Sequence, residues 1–333
     1  MRTRPSISVI IPCYNTGRYI REAVASIRAQ NISFPYEIIV VDDGSTDAST
    51  HSITTQLQKE RNDLRIIYGA LNGGPSVARN LAIEHARCDY IFPLDSDDKL
   101  SVKPEHLAGG GYMQRAVELL EGNKDVVFAY SKKEYFGAVH SPYVYTTSYD
   151  EKRLLARHNV GPFIIYRKQD AMEIGGYEPK MLHAEDWAFI LGLLNARVKK
   201  GKPTDVHMFP EAYINYRIRG DGTNLTSNPK MSRQEILEAI TSMYPEIYEK
   251  HYPGLSGNAL IDVLKSKQQE YEDSFRMEFA RECLSHPVNS YGAGAFGFAA
   301  GWLGNRIVKK WNAFTSPQDV SPVPADEPAF DPN

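Results

Sequence analysis

The chain has 333 residues, 42% of them apolar and 24% charged, with a formal net charge of −3 and a pI near 6.3. That is enough for one large domain with an appendage, or for two domains. The balanced charge offers no basic field for nucleic acid, and three scattered cysteines, Cys13, Cys88 and Cys283, argue against a disulfide framework or a structural zinc site.

Residues 7–13 form a β-branched run, read as a buried strand that ends at Pro12 and Cys13. A helix is expected over 18–30, with Ile20, Ala23, Val24 and Ile27 on one face. A second strand at 37–41 runs into Asp42-Asp43-Gly44-Ser45, where Ser45 or Asp47 can cap a helix reaching about residue 61. A strand at 64–68, a helix at 76–86 and a strand at 90–94 follow, the last leading into Asp95-Ser96-Asp97-Asp98. This alternation predicts βαβ units and a mainly parallel sheet flanked by helices. Such sheets bind ligands beyond the carboxyl ends of their strands. Asn15, Asp43, Asp95 and Asp97 all fall there.

Beyond residue 100 the pattern loosens. Strands are expected at 126–130 and 163–166, a loop at 143–150 and a helix at 184–196. Residues 231–312 read as helical, broken near Pro253 and Pro287, and 313–333 as a disordered tail rich in proline and acids. The predicted organisation is a catalytic domain over 1–225, with its nucleotide half at 6–100 and its acceptor half at 101–225. A helical C-terminal region at 226–312 and the tail complete it.

Asp95, Asp97 and Asp98 place three acids within four positions at a strand end. Their repulsion calls for a positive partner, and a hard divalent cation with oxygen ligands is the natural one. Two carboxylates would leave coordination positions open for a diphosphate. A solvated acidic turn, with Asp98 capping a helix, is the competing reading.

The order of several such segments resembles the family-two glycosyltransferases of GT-A fold. Ser8-Val-Ile-Ile-Pro-Cys-Tyr-Asn15 resembles their opening strand and nucleotide loop, and Val41-Asp42-Asp43-Gly44-Ser45-Thr46-Asp47 their second motif. Asn72-Gly73-Gly74-Pro75-Ser76-Val77-Ala78-Arg79-Asn80 resembles the third, and Leu94-Asp95-Ser96-Asp97-Asp98 the D-x-D segment. Ile174-Gly175-Gly176-Tyr177 and His183-Ala184-Glu185-Asp186-Trp187 resemble the acceptor-side block with its Glu-Asp pair. The likeness spans about residues 6–220.

The resemblance implies an α/β GT-A (Rossmann-like) fold and an inverting transfer of a sugar from a nucleotide diphosphate donor, a UDP-sugar, to a saccharide or lipid-linked hydroxyl. The products would be surface polysaccharide or glycolipid. It assigns Pro12, Tyr14, Asn15, Asp43, Arg79 and Asp95 to the nucleotide, and Asp97 with Asp95 to Mn²⁺ or Mg²⁺. It makes Asp186 the general base with Glu185 beside it, and Trp187 and His183 acceptor contacts. Two alternatives stay open: a sugar nucleotidyltransferase, and a non-catalytic binding or scaffold subunit. Arg79 could instead pair with Glu84 at the surface, Trp187 could pack in the core, and Asn15 could serve only the turn. Arg219 stands where the family often has a histidine; Arg217 and Arg219 could meet the diphosphate.

Gly292-Ala-Gly294-Ala-Phe-Gly297 matches a dinucleotide pattern but follows no strand, so it is discounted. Residues 288–311 join aromatics to a basic cluster. They suit either an interfacial membrane helix or packing on protein, a second copy in a homo-oligomer included. The 7–11 run is too short for a signal-peptide core, and no stretch offers 18 unbroken apolar residues. A cytoplasmic protein is expected, peripheral on the inner membrane face if 288–311 binds lipid.

Overall fold

The structure is a computed structural model that describes residues 5–60, 62–138, 149–219 and 230–285. The chain divides into two compact units, Met1–Ser274 and Phe275–Asn333. The first half alternates: β1 Ile7–Cys13, α1 Gly17–Arg28, β2 Tyr36–Asp42, α2 Ala48–Glu60, β3 Leu64–Tyr68, α3 Pro75–His85 and β4 Tyr90–Pro93. There follow β5 Lys99–Leu100, α4 Pro104–Leu107, α5 Gly111–Gly122, β6 Val126–Gly137, α6 Glu151–Ala156, β7 Ile165–Arg167 and α7 Lys168–Glu173. α8 Glu185–Lys199, β8 Asp205–Ile218, α9 Arg233–Met243, α10 Pro245–His251 and α11 Gly257–Ser285 complete the described strands and α-helices.

One sheet of eight strands runs in the order β3-β2-β1-β4-β7-β6-β8-β5. β1 pairs in parallel with β2 and β4, and β2 with β3. β7 is antiparallel to both β4 and β6, β6 and β8 are parallel, and β5 closes the edge antiparallel to β8. Successive side chains of a strand point to opposite faces, and the core divides accordingly. Ile7, Val9, Ile11, Ile38 and Val40 meet Ile20, Val24 and Ile27 of α1 and Met113 and Ala116 of α5. Ile10, Ile39 and Val41 meet Ala78 and Ala82 of α3 and Ile190 of α8 on the other face. Each fully buried side chain of this size contributes about 1.5–3 kcal/mol.

The second face continues past residue 225. Ile236, Leu237 and Ile240 of α9, Ile247 and Tyr248 of α10 and Leu260 of α11 belong to the same cluster as α8. Ser232 and Glu235 close a reciprocal capping box on α9, and Pro245 opens α10 at a position where its missing N–H costs nothing.

One strand runs beyond its predicted bounds and another was not predicted. β6 continues to Gly137, and β8 is fourteen residues long although only its end carries a legible motif. Pro210 interrupts the pattern of β8. The register jumps there, from Ser131↔Phe209 to Lys133↔Ile214, and this bulge is where a strand tolerates proline. α5 was hidden by the Gly109-Gly110-Gly111 run at its start, all three glycines having positive φ. Most of the expected 143–150 loop lies outside the described residues. So do the break at Pro287, the 288–311 segment, the glycine pattern at 292–297 and the 313–333 tail. No described helix is long and apolar enough to cross a membrane.

Candidate active site

The carboxyl ends of β1, β2 and β4 present three loops to one another. In the first, Asn15 adopts φ 53°. Its Oδ1 accepts from the Thr46 and Asp47 amides at 2.8 and 3.1 Å, and its Nδ2 donates to Thr46 Oγ1 at 3.1 Å. The side chain therefore ties the first loop to the second. Thr16 Oγ1 bridges Cys13 Sγ at 3.1 Å and Ser96 Oγ at 2.8 Å. Ser96, the middle residue of the D-x-D segment, is thus a buried tie, and its neighbours Asp95 and Asp97 are left on the open side. Pro12 is partly buried and Tyr14 is exposed.

Asp42 Oδ1 accepts from the Ser45 amide at 2.9 Å and fixes the second turn. Asp43 spans to the third loop: its two oxygens accept from Gly73 N at 3.0 Å and Gly74 N at 2.8 Å. The glycine-rich start of α3 is therefore held against β2, with one lone pair on each Asp43 oxygen still available.

Arg79 on α3 joins the two halves of the site. It is 3% exposed, with Nη2 donating to Asp95 Oδ1 at 2.8 Å and Nη1 to Glu185 Oε1 at 2.7 Å. Its guanidinium stands 5.3 Å from the Tyr177 ring centroid. Burial works against its charge, but Asp95 and Glu185 outweigh burial and hold the proton more firmly than in water. Arg79 is thus an internal bridge, not a surface partner of Glu84.

Asp97 Oδ2 accepts from Arg219 Nε at 2.8 Å, and Asp98 Oδ1 from the Arg217 amide at 2.6 Å. Burial raises the proton affinity of Asp97; Arg219 opposes that and Asp95 adds to it. Asp98 rises further, through burial and then the charges of Asp97 and Asp95.

Glu185 and Asp186 open α8, where the helix dipole favours acids. The preceding Ala184 has φ 60°, and with Asn15 it is one of the two non-glycine residues of positive φ among the described residues. Both flank the site, where such strain concentrates. Asp186 Oδ1 accepts from the Trp187 amide at 2.9 Å and Oδ2 faces His158 Nε2 at 2.9 Å. Burial would raise the Asp186 carboxyl, but His158, Arg79 and the Trp187 amide hold it well below the usual carboxylate range. His183 is partly exposed at the rim.

Trp187 needs a correction as an acceptor contact. It is 4% exposed, and its indole donates to Leu154 O at 2.8 Å. It packs in the core beneath the site.

Asn80 fixes the loop before α8, with Nδ2 donating to Tyr177 O and Oδ1 accepting from Tyr177 N, each at 2.7 Å. A Cβ on Gly176 would lie 2.3 Å from Asn80 Oδ1, and Gly176 has φ +80°. Gly176→Ala is expected to cost about 1–3 kcal/mol through backbone strain and the broken Asn80 clamp, read as a lower urea midpoint at unchanged slope.

Two residues of the site were not singled out in the sequence. His158 sits between elements in Arg157-His158-Asn159 and carries no pattern. Lys133 lies in Lys132-Lys133-Glu134, which resembles an ordinary charged edge. Its ammonium stands 4.9 Å from the Tyr216 ring centroid and makes no ion pair among the described residues. Burial weakens its hold on the proton, opposed by the charges of Asp98, Asp186 and Asp95.

A two-faced α/β sheet with acidic loops after β2 and β4, facing an acidic helix start, defines a protein of the GT-A class. The model of the family described as Glycosyl transferase family 2 matches residues 8–175, half of the chain, and the chain belongs to that family. The minor teichoic acid biosynthesis protein GgaB of Bacillus subtilis is 26% identical over 275 residues, 79% of this chain and 27% of GgaB. The chain spans well under half the length of the curated relatives it matches. Among solved structures, S. aureus TarS 1–349 in complex with UDP-GlcNAc aligns with a TM-score of 0.57 at 21% identity, covering 78% of this chain and 70% of that one. The mannosyltransferase PcManGT of Pyrobaculum calidifontis, in complex with GDP-Man and Mn²⁺, gives 0.52 at 15% identity, covering 94% and 84%. At these identities the two likenesses establish the fold.

Proposed function

We propose that the chain is an inverting glycosyltransferase that moves a sugar from a UDP-sugar to a hydroxyl of a saccharide or lipid-linked acceptor in surface-polymer synthesis. The observation that carries this reading is the Arg79 bridge. It joins Asp95 of the D-x-D loop to Glu185, next to Asp186, so the acids read as donor-side and acceptor-side are held together by one guanidinium.

In this reading Asp186 takes the proton of the acceptor hydroxyl as that oxygen bonds to the anomeric carbon. The bond from that carbon to the diphosphate oxygen breaks on the opposite face, and the electron pair leaves with UDP. A buried carboxylate kept ionised by neighbouring donors suits a base. In this reading Asp43 and Tyr14, with Pro12 and Asn15, take the base and ribose, and Lys133, close to Asp95, Asp98 and Asp186, supplies positive charge towards the diphosphate. The partial family match to GgaB supports a surface-polymer acceptor.

The residues fit a hard divalent cation. Asp95 Oδ2 takes no hydrogen bond from a described residue, and the buried Asp97 carboxylate, paired with Arg219, lies close enough for the charge of Asp95 to raise its proton affinity. Asp97 and Asp95 would hold Mn²⁺ or Mg²⁺, which when bound offsets the charge of the departing diphosphate. Among the described residues no group of three ligands is assembled, so water or diphosphate oxygens would complete the shell.

Calorimetry with UDP, GDP, CMP and dTDP, with and without Mn²⁺, tests this. UDP is expected to bind only with metal, and Asp97→Asn to weaken that binding at least about tenfold, which is about 1.4 kcal/mol. Metal-independent binding, or an unchanged Asp97→Asn, would contradict the metal assignment. Failure of every nucleotide to bind would turn the reading towards a scaffold subunit.

A further inference from the structure

The acid assigned as base is gripped from outside its own helix. His158 Nε2 lies 2.9 Å from Asp186 Oδ2, while Asp186 Oδ1 is occupied by the Trp187 amide. An ionised carboxylate only accepts, so Nε2 carries the shared proton. The imidazole lies nearly parallel to the Trp187 indole, centroids 6.2 Å apart and planes at 22°. Among the described residues, buried His158 Nδ1 has no hydrogen-bond partner, so within them the ring's one polar tie is to Asp186. A histidine serving only to fasten its loop would be expected to use a backbone group as well.

The peptide that carries His158 is itself anchored. It leaves α6, whose Leu154 carbonyl accepts from Trp187 Nε1 at 2.8 Å and whose Leu155 carbonyl accepts from Tyr248 Oη at 3.0 Å. Glu151 at the start of α6 pairs with Lys250 at 2.8 Å and with His251, both on α10, and accepts from Thr204 Oγ1 at 2.6 Å. The helices after residue 230 therefore brace α6, and α6 presents His158.

We propose that His158 is a positioning residue for the reaction: its hydrogen bond fixes the rotamer of the Asp186 carboxylate, with α6 and α10 as its brace. This rests on the transferase reading. The other charged or titratable groups facing Asp186 are Glu185 on its own helix, Arg79 on α3, Lys133 on β6 and Tyr177 in the loop before α8. Arg79 is committed to Asp95 and Glu185. His158 is the only one of these with a direct hydrogen bond to Asp186 among the described residues. Without His158, Asp186 loses the largest of the influences that oppose its burial and would hold a proton to higher pH. The acid limb of the rate would move upward.

The test uses the full chain with Mn²⁺ and three probes, UDP-glucose, UDP-galactose and UDP-N-acetylglucosamine, following UDP release against pH at saturating donor. His158→Ala is expected to lower kcat by roughly tenfold or more near pH 6, within the span of general-base effects. It should recover part of the loss by pH 8 and leave the donor KM within about twofold. His158→Gln, which keeps an N–H donor, should restore most of the wild-type profile. In ¹⁵N-labelled protein the Nε2 proton of His158 should be visible and should vanish in Asp186→Ala. An unchanged pH profile in His158→Ala, or an Nε2 proton indifferent to Asp186→Ala, would overturn the role of His158 and leave the transferase reading standing. No UDP release by the wild type from any probe, with the Nε2 signal intact, would instead sink the transferase reading, and the role of His158 with it.

Discussion

Asp186→Asn is expected to lower UDP release and transfer by about 10²–10⁴-fold, the range of a lost general base, while UDP binding with Mn²⁺ stays within about twofold. Asparagine is nearly isosteric and keeps an acceptor for the Trp187 amide, but it cannot take a proton. A fall in kcat with little change in KM would show that the interaction operates in the transition state. Equal loss of nucleotide binding would place Asp186 in the donor site.

Arg79→Met is expected to lower stability by about 3–5 kcal/mol, because removing one partner of a buried ion pair leaves the others uncompensated. Here two carboxylates lose their cation at once, Asp95 and Glu185. Methionine fills much of the volume, so most of the loss is electrostatic. Arg79→Lys should recover only part, since a single ammonium does not reproduce the fork that spans both acids. Urea denaturation of the three proteins checks this. The double change Arg79→Met with Glu185→Gln should be less destabilised than the sum of the singles. Additivity would mean the bridge contributes little.

The first half of the fold was legible because its signals are local. Ile7–Cys13 is a β-branched run that the structure buries, Leu64–Tyr68 is a short apolar run at the sheet edge, and the stripe Ile20, Ala23, Val24, Ile27 marked the inward face of α1. β8 was not legible, because Pro210 breaks its pattern and only the register with β6 shows a strand on both sides. α9 and α10 were read as helical, but their burial against α8 comes from contacts remote in sequence. Of the site, the acids announce themselves by clustering where repulsion would otherwise remove them. Their partners do not. Arg79 meets Glu185 across 106 positions and Arg219 meets Asp97 across 122. His158 is one histidine in a loop, and Trp187 beside two acids looked like a sugar platform while serving the core.

The central claim is inverting transfer from a UDP-sugar. The direct measurement is ¹H NMR of the sugar first released when the full chain, with Mn²⁺, turns over UDP-α-glucose, UDP-α-galactose and UDP-α-N-acetylglucosamine. The account predicts that at least one donor gives UDP and the β-anomer before mutarotation, and that Asp186→Asn abolishes it. Initial release of the α-anomer, or release that survives Asp186→Asn unchanged, would contradict it.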